Sequence, residues 1–115
     1  MRTLQEIALK EKDLSAVLEA ADRLRAGFPV ERIIIFGSKV KGRDDDISDI
    51  DIFLLTSRSV TWQEKSGIVR LLSRIGRQFD VLFDPIIHST EEWDQGIPRY
   101  FPIHQEVEKE GILVA

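Results

Sequence analysis

Apolar residues fall into separate periodic blocks along the chain, and each block predicts one element. Residues 1–28 read as helical, with Leu14, Val17, Leu18, Ala21 and Leu24 forming one apolar stripe. Gly27 and Pro29 stop that stripe, since glycine tolerates the helix end and proline cannot continue it. Leu4 and Ile7 suggest an earlier turn or a separate short helix. Residues 31–36 predict a strand, because Ile33, Ile34 and Ile35 are β-branched, and their continuity predicts burial on both faces. Gly37 and Ser38 break the run. Residues 39–42 read as a helical turn, and 43–48, with Asp44, Asp45 and Asp46 in a row, as a solvated loop. Residues 49–56 predict a second strand. Thr61 with Glu64 has the spacing of a capping box, and Ile68, Leu71, Leu72, Ile75 and Phe79 then outline a second amphipathic helix. Residues 80–83 predict a short third strand ended by Pro85, with Ile86 and Ile87 extending it past a kink. Ser89 with Glu92 is another capping box, and Ile103, Val107 and Gly111 outline a last short helix. The order α-β-β-α-β-α predicts an α/β (α+β) fold, a small mixed sheet flanked by helices with its first two strands adjacent.

The length, 115 residues, adds that this is one domain, 1–115, with an N-terminal helical region at 1–28 and a core at 30–114. A chain of this size can bury a core without a disulfide or metal staple. Cysteine is absent, which excludes a disulfide scaffold, a Cys-ligated zinc site and a Cys nucleophile. The net charge of −4 is wrong for a protein held on nucleic acid by bulk electrostatics. The apolar runs are too short to span a bilayer, and the acidic N-terminus lacks the apolar core of a signal peptide. A cytoplasmic protein with no membrane partner is the expectation.

The chemistry concentrates in Ile35-Phe36-Gly37-Ser38, ten further residues, then Asp49-Ile50-Asp51. A strand running through Gly-Ser into a helical turn presents free backbone N–H groups, and glycine allows close approach of a ligand. Together with the Ser38 hydroxyl, this suits phosphate oxygens. Asp49 and Asp51 lie two apart on a strand and so share a face. Two such carboxylates repel unless a cation sits between them, and Mg²⁺ favours a few carboxylates plus phosphate oxygens. A third carboxylate from a neighbouring strand would complete a two-metal site for displacement at phosphorus. Asp80, heading the third predicted strand, is the first choice, and Asp84 the runner-up. Lys39, Lys41 and Arg43 lie near the cradle, within reach of the phosphates. His88 and His104 stand apart with no metal-ligand spacing and read as structural or surface residues. Trp62 and Trp93, near helix starts, read as edge-of-core packing.

Gly37-Ser38 with Gly42, followed by Ser48-Asp49-x-Asp51, resembles the signature of the DNA polymerase β-like nucleotidyltransferase superfamily. Phe79-Asp80-Val81-Leu82 looks like its third-carboxylate strand, and Glu110-Gly111-Ile112-Leu113 is similar to the tail of its minimal, stand-alone members. The resemblance spans about residues 30–114. It implies that Asp49, Asp51 and Asp80 bind two Mg²⁺ ions and carry catalysis, with Asp80 helping to deprotonate the acceptor. It implies that Gly37, Ser38, Lys39, Arg43 and Ser48 bind the nucleotide. The implied reaction moves a nucleoside monophosphate, AMP from ATP in the favoured version, to a hydroxyl of a protein or other macromolecule and releases pyrophosphate. Small members of this kind often accompany a HEPN-type protein as its antitoxin. Nucleic acid would enter only as an acceptor. The alternatives are a non-catalytic nucleotide-binding interaction module, or the nucleotide-binding subunit of an aminoglycoside-type or RNA-tailing transferase. Phe53 and Leu55 continue the face of Asp49 and Asp51. Apolar residues beside an acidic site need cover, part of which a second chain, HEPN-type or another copy, would supply, with Leu14, Val17, Leu18 and Ala21 of the same chain as the alternative source.

Overall fold

The fold is built on two central strands whose alternating side chains feed two separate cores. The computed structural model describes residues 1–37 and 49–114. Strand β2 is Val30–Phe36 and strand β3 is Ile50–Thr56, paired antiparallel with Ile33 opposite Leu54 and Phe36 opposite Asp51. Among the described residues the sheet has five strands in the order β1-β5-β2-β3-β4. Here β1 is Arg2–Thr3, β4 is Phe83–Ser89 and β5 is Ile112–Leu113. β4 runs parallel to β3, and β5 antiparallel to β2. The predicted mixed sheet with adjacent first strands is therefore present, widened by the two-residue strands β1 and β5.

One face of the sheet is covered by α1, Glu11–Gly27, and α2, Trp62–Phe79. Ile33 and Ile35 of β2 and Ile50, Ile52 and Leu54 of β3 pack there with Val17, Leu24, Ile68, Leu72 and Ile75. The other face carries Ile34, Phe36, Phe53 and Leu55, packed against Trp93 and Val107. Those two belong to α3, Thr90–Gln95, and α4, Pro102–Glu110. A continuous apolar strand thus serves two layers at once. Phe53 and Leu55 are buried beneath Trp93 and Val107 of the same chain, so their cover comes from within the chain, though from α3 and α4 rather than from Leu14, Val17, Leu18 and Ala21.

Both capping boxes form. Thr61 accepts from the Glu64 N–H while Glu64 accepts from the Thr61 N–H, and Ser89 with Glu92 does the same for α3. The α1 stripe is rotated from its predicted position. Ala16, Val17, Ala20, Ala21 and Leu24 are buried, whereas Leu14 and Leu18 are exposed at the margin. Small alanines let α1 lie close to its neighbours, which moves the buried centre off the leucines. Leu4–Glu6 forms the separate short helix, a single 3₁₀ turn.

The third predicted strand is displaced. Residues 80–82 are a connection, and β4 runs through Pro85 to Ser89. β4 is an edge strand, so the missing N–H of Pro85 leaves no ladder bond unmade on its open side. Asp80 terminates α2 in the left-handed conformation, φ 56° and ψ 51°, and the Val81 N–H donates back to the Gly76 carbonyl.

Candidate active site

The parallel register of β3 and β4 sets Asp51 beside Asp84. Side chains alternate along a strand, so Asp51 shares the face of Phe53 and Leu55, and Asp84 lies next to it on the edge strand. Asp51 carries the mark of that crowding. Burial pushes its carboxyl above the ordinary value, the charges of Asp84 and Asp49 push it further, and a side-chain hydrogen bond with Asp84 adds to the rise. Three acids, Asp49, Asp51 and Asp84, therefore act on one another at one end of the β3–β4 pair.

Gly37 closes the site from β2. Its φ of 119° lies where side-chain-bearing residues are strained. A Cβ there would come within 3.2 Å of Asp51 Oδ2 and 3.7 Å of the Asp49 carbonyl oxygen. The backbone conformation favours glycine, and a Cβ would in addition make the Asp51 carboxylate shift by a few tenths of an ångström.

The structure places Asp80, the expected third carboxylate, at the end of α2 rather than beside Asp51. Its side chain is 100% exposed and sits 3.7 Å from Lys12 Nζ, which also donates to the Asp80 carbonyl at 3.0 Å. An acid at a helix end, paired with a lysine of α1, is placed to cap α2 and tie it to α1. Asp84 takes the position beside Asp51. It does so because β4 continues through Pro85, which a reading of Pro85 as the end of pairing hides. The remaining predicted nucleotide-binding residues, Ser38, Lys39, Arg43 and Ser48, lie outside the described residues.

A set of all-oxygen donors, whose burial and mutual repulsion raise the Asp51 pKa, fits a hard divalent cation such as Mg²⁺. The fit rests on Asp49, Asp51 and Asp84.

The chain matches the family described as "Polymerase beta, Nucleotidyltransferase" over residues 12–92. It is 34% identical over 88 residues to a Methanocaldococcus jannaschii protein named "Putative protein adenylyltransferase MJ0141", covering 76% of this chain and 81% of that one. It shares the fold of a crystal structure titled as a putative nucleotidyltransferase from Sulfolobus solfataricus, with a TM-score of 0.50 and 20% identity. That match covers 90% of this chain and 86% of the other. A family match across most of the chain, together with a glycine turn set against a carboxylate pair, places this protein in the polymerase β-like nucleotidyltransferase family.

Proposed function

We propose that this nucleotidyltransferase moves AMP from ATP to a hydroxyl group of another protein. The observation that carries this reading is the Asp51–Asp84 carboxyl pair beside Gly37. The name of the Methanocaldococcus jannaschii relative supports the choice of adenylyl group and protein acceptor. In the reaction, the acceptor oxygen bonds to the α-phosphorus of ATP. The bond from that phosphorus to the bridging oxygen breaks, and pyrophosphate leaves. Asp49, Asp51 and Asp84 would hold two Mg²⁺ ions, which would supply neutralisation of the phosphate oxygens and in-line orientation. Asp84, beside Asp51 on the neighbouring strand, is the group placed to take the acceptor proton. Gly37 lets the chain turn past Asp51, and Ser38, Lys39, Arg43 and Ser48 bind the triphosphate.

The acceptor in this reading is a HEPN-type partner, with the chain acting as antitoxin. Support for a protein partner comes from the segment that follows α3. Ile97, Tyr100, Phe101 and Ile103 lie within seven residues and are all exposed, Tyr100 by 80%. They belong to the layer that covers the Asp51 face, and an exposed apolar cluster of this kind marks a docking surface.

The test incubates the chain with labelled ATP, Mg²⁺ and a small helical HEPN-type protein encoded beside it. Label should appear on the partner and vanish with Asp51→Asn. Binding of Mg–ATP with no label transferred to any protein, RNA or small alcohol would overturn the enzymatic reading and leave the interaction module.

A further inference from the structure

A second group of ligand-bearing side chains lies away from the three acids of the nucleotide site. Asp94 ends α3, and His104 and Glu108 sit one helical turn apart on α4. A carboxylate oxygen of Asp94, a ring nitrogen of His104 and a carboxylate oxygen of Glu108 all lie within 4.8 Å of one another. This corrects the reading of His104 as an isolated residue.

Three features make the group more than a chance meeting of polar side chains. His104 Nε2 is out of reach of water and has no hydrogen-bond partner. A buried ring nitrogen left so is costly, because it has lost water and gained nothing. The imidazole is also held in place, stacked on Trp93 with ring centroids 4.4 Å apart and planes at 29°. Glu108 is oriented by the same tryptophan, whose Nε1–H donates to Glu108 Oε1 at 2.7 Å. A donor fixed behind a carboxylate is the usual arrangement around a metal ligand. Arg32 approaches Glu108 Oε2 at only 4.0 Å, too far for a hydrogen bond.

We infer that Asp94, His104 and Glu108 bind a divalent transition-metal ion of the zinc class. One imidazole and two carboxylates suit zinc, nickel or cobalt and leave a fourth position for water. Ligand atoms around tetrahedral zinc stand about 3.3 Å apart. The three ligand atoms, now within 4.8 Å of one another, would close to that spacing on binding, with the exposed Asp94 moving most and His104 and Glu108 making smaller adjustments. The bound ion clamps α3 to α4 and braces Trp93, which packs on Phe53 with ring centroids 5.8 Å apart. The layer above the Asp51 face is stiffened in this way. Magnesium, which prefers oxygen donors and its own water shell, does not compete here.

Trp93 is the reporter. A Trp62→Phe, Asp51→Asn double variant leaves Trp93 as the sole tryptophan and weakens the acidic site. Micromolar Ni²⁺ should quench most of its emission, and Zn²⁺ should raise the melting temperature by about 5 °C or more. Millimolar Mg²⁺ should do neither. Asp94→Asn, at an exposed position, and Glu108→Gln, which keeps an oxygen for Trp93, should each lower the apparent Ni²⁺ affinity at least about tenfold while the fold stays intact. The assignment is overturned if Ni²⁺ leaves the emission unchanged. It is equally overturned if Asp94→Asn and Glu108→Gln bind Ni²⁺ as tightly as the parent.

Discussion

Asp51 is where charge, burial and chemistry meet, and Asp51→Asn should separate them. Transfer activity should fall about 10²-fold or more. In metal-free buffer the same substitution should raise the melting temperature at neutral pH, because it removes a carboxyl crowded by Asp84 and Asp49. The folded protein raises this pKa, so the group's contribution to stability is fully present below the ordinary value of 3.8. It is lost as pH rises through the raised folded value. The advantage of the asparagine variant should therefore shrink as pH falls toward 3.8 and below. An advantage that persists unchanged in acid would refute the crowding. Asp84→Asn should abolish transfer and Asp80→Asn should leave it near wild type, a contrast that one activity assay settles. The alternation of Asp49, Ile50 and Asp51 made their shared face legible in the sequence. The choice between Asp80 and Asp84 was not legible. It depends on β4 being an edge strand, and nothing local to Pro85 says so.

At the scale of elements, α2 starts at a complete capping box, so Thr61→Ala should cost about 1 kcal/mol in denaturant unfolding with transfer unaffected. Loss of stability below a few tenths would show that Glu64 holds the helix start alone, through the Thr61 N–H and its paired Arg58. The long helices and central strands could be read from the sequence because their periodicity extends over many residues. Strands β1 and β5 have two residues each, too few to carry any period. β5 exists because Leu113 and Ile112 find Ile34 and Ile35 across the sheet, and β1 because Arg2 and Thr3 pair with β5, both pairings of residues far apart in the chain. The rotation of α1 has a similar cause. Periodicity locates a stripe, but which edge of it is buried depends on how close the alanines let the neighbours come.

At the scale of the molecule, Trp93 joins α3, α4 and the sheet while being only 1% exposed. Trp93→Ala should cost about 3–5 kcal/mol, and the loss of Nε1–H should free Glu108 as well. Near-native stability in urea unfolding would mean that the second core stands without it. Changing Tyr100 and Phe101 together to Glu should weaken partner association at least about tenfold and leave ATP binding intact, as read by calorimetry. The link between α2 and β4 has a further consequence. Only residues 80–82 join the end of the helix at Phe79 to the start of the strand at Phe83. A single deletion there leaves no slack. The strand would advance one place, turning the Asp84 carboxyl toward α1 and α2 and Phe83 toward the acids. Spacer length is thus inherited information in its own right, and a frame-preserving deletion that spares every acid would silence the enzyme as surely as removing one.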